Sequence, residues 1–288
     1  MVIRPYLQLM RLHQPTGLWL LMWPALLGLW VAHQEFYRSA PDPWLIGLIV
    51  VGALITRSLG CTLNDILDRD LDGHVARTRE RPLPSGALSL RQALILAAAL
   101  ILAALTLLLW TNQLTAAVAA LAAALIGLYP LAKRFLRAPQ LVLAVTFSMG
   151  IPITYAIVLD WLNPVLWWLF AANAAWIMAY DTIYAMADAQ DDASHGGIHS
   201  TALLFGRRTP SAIAVFQTLT IVLLVFYGID NMLNLPYYLA VTSLYFLFVY
   251  QQRLIRGERP DPMRAFGSNA WGGAILFAGT VLNYVWFV

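Results

Sequence analysis

The chain has a single cysteine, Cys61, and very little charge. One thiol excludes an internal disulfide framework and a cysteine zinc site. Cys61 lies beside the end of an apolar segment and reads as a small packed residue. Asp, Glu, Lys and Arg make up 11% of the 288 residues, where a soluble globular domain carries about 25%. Apolar residues, at 60%, fill the difference. They recur in runs about 20 residues long, more than one soluble core can use, which points to a polytopic membrane protein. Arg4 and Arg11 before the first apolar stretch resemble the start of a signal peptide. No small-residue cleavage site follows and the apolar pattern simply continues, so that reading is set aside.

Nine segments are long enough to cross a bilayer, at roughly 16–33, 44–62, 92–110, 114–132, 139–158, 164–182, 211–228, 235–251 and 267–287. Backbone in lipid must satisfy its own hydrogen bonds, so each is expected to be a helix and the fold class all-α. Only Trp110 to Gln113 join the third and fourth segments, which predicts a tight antiparallel pair. With nine crossings, all but one of the 18 Lys and Arg residues fall on one side of the membrane, Arg38 being the exception. The positive-inside rule makes that side cytoplasmic. The opposite loops are short connectors with Glu35, Asp42, Asp160 and Asp230. Trp110, Trp161, Trp167, Trp168 and Trp286 fall near the predicted interfaces, as an aromatic belt does. Segment 1–15 mixes Arg4, Arg11 and His13 with Ile3, Tyr6, Leu7, Leu9 and Met10, a pattern suited to an amphipathic helix along the inner surface.

Eight of the 15 acidic residues fall in two short stretches, both at cytoplasmic helix ends. The first holds Asn64, Asp65, Asp68, Asp70 and Asp72; the second holds Asp181, Asp188, Asp191 and Asp192. On a helix, Asn64, Asp68 and Asp72 share a face that Asp65 joins, and Asp181, Tyr184, Asp188 and Asp192 form one stripe. Like charges at these spacings repel, and near a membrane the cost grows. In the first stretch only Arg69 relieves it, and Arg69 points elsewhere on the wheel, so a bound cation is expected. Carboxylate and amide oxygens suit Mg2+, which is usually held by one or two carboxylates together with substrate phosphates. Two such clusters facing each other would clamp a diphosphate and stabilise it as a leaving group. The competing reading is helix capping and loop solvation, which holds most weight for Asp70 and Asp191 taken singly.

Basic residues follow on the same side. Arg is shaped for bidentate phosphate contact and Lys supplies a point charge. Arg77, Arg81, Lys133 and Arg134 are candidates for the diphosphate, with Arg79 and Arg137 behind them; ordinary positive-inside anchoring is the alternative for each. His74 reads as a hydrogen-bonding loop residue. The turn-rich Pro82-Leu83-Pro84-Ser85-Gly86 could cover the site.

These residues resemble the UbiA superfamily of intramembrane aromatic prenyltransferases. Asn64-Asp65-x-x-Asp68-x-x-x-Asp72 is similar to its first signature, and Asp181 through Tyr184 and Asp188 to Asp192 to its second. The resemblance extends to Asp72-Gly73-His74-Val75 with Arg77-Thr78, and to Arg81-Pro82-Leu83-Pro84-Ser85-Gly86. It also takes in Tyr129-Pro130 with Lys133-Arg134, and Ser200-Thr201-Ala202 with Phe205-Gly206. Within the superfamily it is strongest to the bacterial branch acting on 4-hydroxybenzoate, and it covers almost the whole chain.

The resemblance implies one integral-membrane domain over 1–288, nine helices around a central cavity with cytoplasmic cap loops, in a bacterial inner membrane. It implies Mg2+ at Asn64, Asp68, Asp72, Asp188 and Asp192, with Asp65, Asp181 and Asp191 less firmly placed. Arg77, Arg81, Lys133, Arg134 and Tyr184 become diphosphate positions, and Asp68, Asp72, Asp188 and Arg134 the catalytic set. Gln190 interrupts the second acidic run and leaves its ligands less defined. The implied reaction moves a polyprenyl group from polyprenyl diphosphate to the carbon ortho to the hydroxyl of 4-hydroxybenzoate, a step of ubiquinone biosynthesis. The lipid bilayer is a partner through a lateral opening; nucleic acid is not. Another acceptor, such as a dihydroxynaphthoate, homogentisate or a tetrapyrrole, is the alternative within the family. A transporter is the alternative outside it, disfavoured because the acids cluster at one end of the spans and not at the midplane.

Overall fold

A computed structural model describes residues 3–69, 78–195 and 199–287, with side chains at 133, 134, 190–195 and 287 excepted. All regular structure among these residues is helical. The expectations at Asp70, Asp72, His74 and Arg77, and those on the side chains of Lys133, Arg134, Asp191 and Asp192, lie outside the described residues.

Local chemistry sets the helix boundaries. Helix α1 (Ile3–Leu9) is short, and α2 (Thr16–Tyr37) ends where Arg38 turns left-handed at φ 48°. Helix α3 (Pro43–Leu67) starts on Asp42, whose carboxylate accepts from the Trp44 N–H at 2.7 Å, with Pro43 in the first turn. A capping box of Ser89 and Gln92 opens α4 (Leu90–Leu108), and Asn112 caps α5 (Gln113–Phe135) by accepting from the Thr115 N–H at 2.8 Å. The fifth expected span is two pieces, α6 (Gln140–Ser148) and α7 (Gly150–Leu159). Pro152 explains the break at Met149, since it has no N–H to give the carbonyl four residues back. Then follow α8 (Leu166–His195), the short α9 (Thr201–Phe205), a 3-10 turn at Gly206–Arg208, α10 (Thr209–Asp230), α11 (Leu235–Arg256) and α12 (Pro262–Phe287).

Among the described residues, seven stretches are long and apolar enough to cross a membrane: Thr16–Tyr37, Pro43–Leu67, Leu90–Leu108, Gln113–Ala132, Gln140–Leu159, Thr201–Asp230 and Pro262–Trp286. The other two expected spans fall on α8 and α11, which are more polar, and several of their polar groups are buried and paired. Gln217 donates to Gln251 at 2.8 Å, Gln251 donates to Asn269 at 3.0 Å, and Trp176 donates to the same Asn269 oxygen at 2.8 Å. Amides away from water require such partners.

The main core joins α2, α7, α8, α10, α11 and α12 around Ile151, Tyr155, Ile177, Leu224, Tyr237 and Leu244. Large apolar side chains such as Leu102, Val215, Phe246 and Trp271 face outward, as a lipid-facing surface requires. One expectation changes. The third and fourth segments, α4 and α5, scarcely touch: α4 packs on α3, and α5 on α6 and α7. A cavity lies between them, and Ala119, Ala120 and Ala123 on α5 are too small to close it. The N-terminal amphipathic helix is only seven residues long. Its Leu9 is buried against Leu88 and Ala93, which fixes it to the rest of the protein.

Candidate active site

One cavity of about 1140 Å³ is walled by α2 to α8 and α12. Its polar end carries Asn64, Asp65 and Asp68 from α3 and its C-cap, Arg81 from the following loop, and Asp181, Tyr184 and Asp188 from α8. Asp68 and Asp188, 120 positions apart in the chain, therefore open on the same space. Tyr129 of α5 bridges the two sides, within electrostatic reach of Asp181, Tyr184, Asp68 and Arg57.

Packing behind the cavity sets the rotation of α8. Thr182, fully buried, donates to the Met178 carbonyl at 2.6 Å and shares a 2.7 Å hydrogen bond with Thr201, whose N–H donates to Gln140 at 3.0 Å. With Thr182 turned toward α9 and α6, its neighbour Asp181 is turned to the cavity. From α12, Phe266 meets the edges of Tyr184 and Tyr180, with ring centroids 4.9 and 6.0 Å apart, and supports both rings at the cavity wall.

Among the first-stretch acids the structure distinguishes environments. Asp65 is fully buried and accepts from Arg11 at 2.8 Å and from Arg81 at 3.3 Å. Asn64 and Asp68 lie one turn apart, the Asp68 N–H closing the helix on the Asn64 carbonyl at 2.9 Å. No group of three or more His, Cys, Asp or Glu gathers among the described residues. Oxygen donors from two helices on one cavity nonetheless fit Mg2+, which takes one or two carboxylates and completes its shell with substrate phosphate and water.

Sequence reasoning missed Arg57, Tyr180 and Arg11. Arg57 enters the cavity deeper than the acids, two turns before Asn64 on the same face of α3. Its Nε is buried with no hydrogen-bond partner among the described residues, and so is the hydroxyl of nearby Tyr180. Two unsatisfied donors in an apolar wall make a receptor for an anionic or carbonyl oxygen. The available signal was a lone arginine inside an apolar run, where charge is expensive; positive-inside anchoring had absorbed it. Beyond Arg57 the cavity becomes apolar, lined by Leu48, Ile49 and Ala53 and by the facing sides of α4 and α5.

The UbiA prenyltransferase family matches residues 21–281. The chain is 43% identical over 281 residues to the 4-hydroxybenzoate octaprenyltransferase of Aeromonas hydrophila, covering 97% of this chain and 96% of that protein. It is 42% identical to the protein of the same name from Chromohalobacter salexigens, covering 96% and 92% of the two chains. Among solved structures, a UbiA homologue from Aeropyrum pernix superposes with a TM-score of 0.81 at 23% identity, over 92% of this chain and 97% of that one. A UbiA homologue from Archaeoglobus fulgidus bound to GPP and Mg2+ gives 0.75 at 16% identity, over 98% and 99%.

Proposed function

Because the chain belongs to the UbiA prenyltransferase family, we propose that it transfers a polyprenyl group from polyprenyl diphosphate to the ring carbon ortho to the hydroxyl of 4-hydroxybenzoate. In this reading it serves ubiquinone biosynthesis. The observation that carries it is the shared cavity: acids of α3 and α8 at a polar end, the half-buried Arg57 further in, and an apolar chamber beyond.

The polar end receives the diphosphate. Asn64, Asp68, Asp72, Asp188 and Asp192 are the residues to hold Mg2+, with Asp181 and Asp191 beside them. Bound there, the metal neutralises the diphosphate and makes it a better leaving group. Arg77, Arg81, Lys133, Arg134 and Tyr184 add donors to its oxygens. Arg57 and the Tyr180 hydroxyl take the carboxylate of the aromatic acid, which supplies the partners that both donors lack. The allylic carbon–oxygen bond breaks, the ring carbon ortho to the phenol bonds to the allylic carbon, and the ring sheds the proton from that carbon. The apolar chamber excludes water, which would otherwise capture the allylic cation. Its extension between α4 and α5 supports a lateral path for the isoprenoid tail into lipid.

The distribution of Lys and Arg supports nine crossings, cap loops and an active site on the cytoplasmic face of a bacterial inner membrane. The test is mass spectrometry of products from the purified protein, Mg2+, a polyprenyl diphosphate of defined length and a panel of aromatic acceptors. A C-prenylated 4-hydroxybenzoate is the expected product. A product only from another acceptor, or none without a membrane gradient, would overturn the assignment.

A further inference from the structure

Resting on the prenyl-transfer reading, we propose that Asp65 is a positioning residue: its carboxylate holds Arg11 and Arg81 together at the cavity mouth to receive the donor's diphosphate, and it does not ligate the metal. Three separate parts of the chain meet at one atom. Arg11 Nη2 and Arg81 Nη1 donate to the same Asp65 oxygen, Oδ1, at 2.8 and 3.3 Å, and Asp65 itself has no exposed surface. Both arginines are mostly buried and line the cavity that also carries Asp68 and Asp188.

The scaffold around them is built to this end. Arg11 adopts a left-handed φ of 57°, unusual for a residue with a side chain, two residues past the end of α1. Leu9 anchors that helix on Leu88 and Ala93. Leu88 in turn closes the Arg81 loop through its N–H to the Pro82 carbonyl at 2.9 Å. Two guanidiniums converging on one oxygen repel each other, and simple anchoring to the inner leaflet would spread them apart. Converged, they present N–H forks suited to a diphosphate. The same pair argues against a metal at Asp65, because a divalent cation on either oxygen would sit beside two positive charges.

The inference is tested on the full-length protein in detergent with geranyl diphosphate as the donor probe. Binding is followed by calorimetry, and prenylation of 4-hydroxybenzoate is followed at varied donor and varied Mg2+. Asp65→Asn should weaken geranyl diphosphate binding about tenfold or more. The Mg2+ concentration for half-maximal rate at saturating donor should stay in place. Adding Arg11→Gln to Asp65→Asn should cost little more than Asp65→Asn alone, because the two act through one contact. An increased Mg2+ requirement with unchanged donor affinity would identify Asp65 as a metal ligand and overturn the proposal, as would fully additive losses. If Asp65→Asn does not fold, Arg11→Gln and Arg81→Gln carry the test. Each should raise KM for the donor and leave KM for the acceptor alone, and an unchanged donor KM in both overturns the proposal. Wild-type protein that makes no prenylated product sinks the prenyl-transfer reading itself, an outcome separate from these.

Discussion

Gly17 on α2 lies against the guanidinium of Arg57 on α3: a β-carbon at position 17 would stand 2.6 Å from Arg57 Cζ. Only a residue without a side chain lets that cation lie where it does, deep in the cavity wall. Glycine is used here for close approach, since its φ is helical. Gly17→Ala should therefore leave the fold intact, because the crowded atoms are the far end of a flexible side chain, and should move the guanidinium. The expected result is a rise of roughly threefold to tenfold in KM for 4-hydroxybenzoate, with donor KM unchanged. Steady-state rates at varied acceptor check it.

Removing the cation itself goes further. Arg57→Met keeps an apolar stem and deletes the charge-assisted contact proposed for the acceptor carboxylate. Acceptor kcat/KM should fall about 10- to 100-fold, the size of one or two lost charged hydrogen bonds. An acceptor lacking the carboxylate should lose far less, and comparing the two acceptors on each protein separates anchoring from general damage.

Asp68 and Asp188 come from different helices that line one cavity, and both are proposed to hold the metal–diphosphate cluster. Asp68→Asn and Asp188→Asn should each lower kcat by about a hundredfold or more and raise the Mg2+ requirement. The double variant should fall short of the product of the two losses. Rates across a Mg2+ titration, with thermal unfolding in detergent as a fold control, decide it.

The gap between α4 and α5 is kept open on one side by Ala119, Ala120 and Ala123. Ala123→Phe should block a long isoprenoid and spare a short one. Product mass spectra from a ladder of donor lengths should show activity retained with geranyl diphosphate and lost with the longest donors.

Gln251 is fully buried, accepts from Gln217, and donates to Ser268 and Asn269. Gln251→Leu leaves buried amide groups without partners and should destabilise the protein by about 2 kcal/mol or more. A lowered unfolding temperature in detergent, with kinetic constants of the surviving enzyme unchanged, is the expected outcome.

Much of this protein was legible in its residues taken in order. Apolar runs of bilayer length, arginines crowded to one side of them, and acids at helical spacing before and within the 64–72 and 181–192 stretches are local patterns. Helix periodicity and the cost of charge in lipid suffice to interpret them. Which acid meets which partner is a matter of distance across the fold. Asp65 looks like another member of the first acidic stripe until α1 and the 78–88 loop bring Arg11 and Arg81 to its one oxygen. Arg57 looks like a membrane anchor until α2 offers a glycine for it to lie on. The short 110–113 link implied a closed pair of helices, and packing of α4 on α3 and of α5 on α6 and α7 left a cavity lined by both instead. Spacing along one helix determines which side chains share a face, whereas what that face encounters depends on contacts between residues far apart in the chain, which no local pattern encodes.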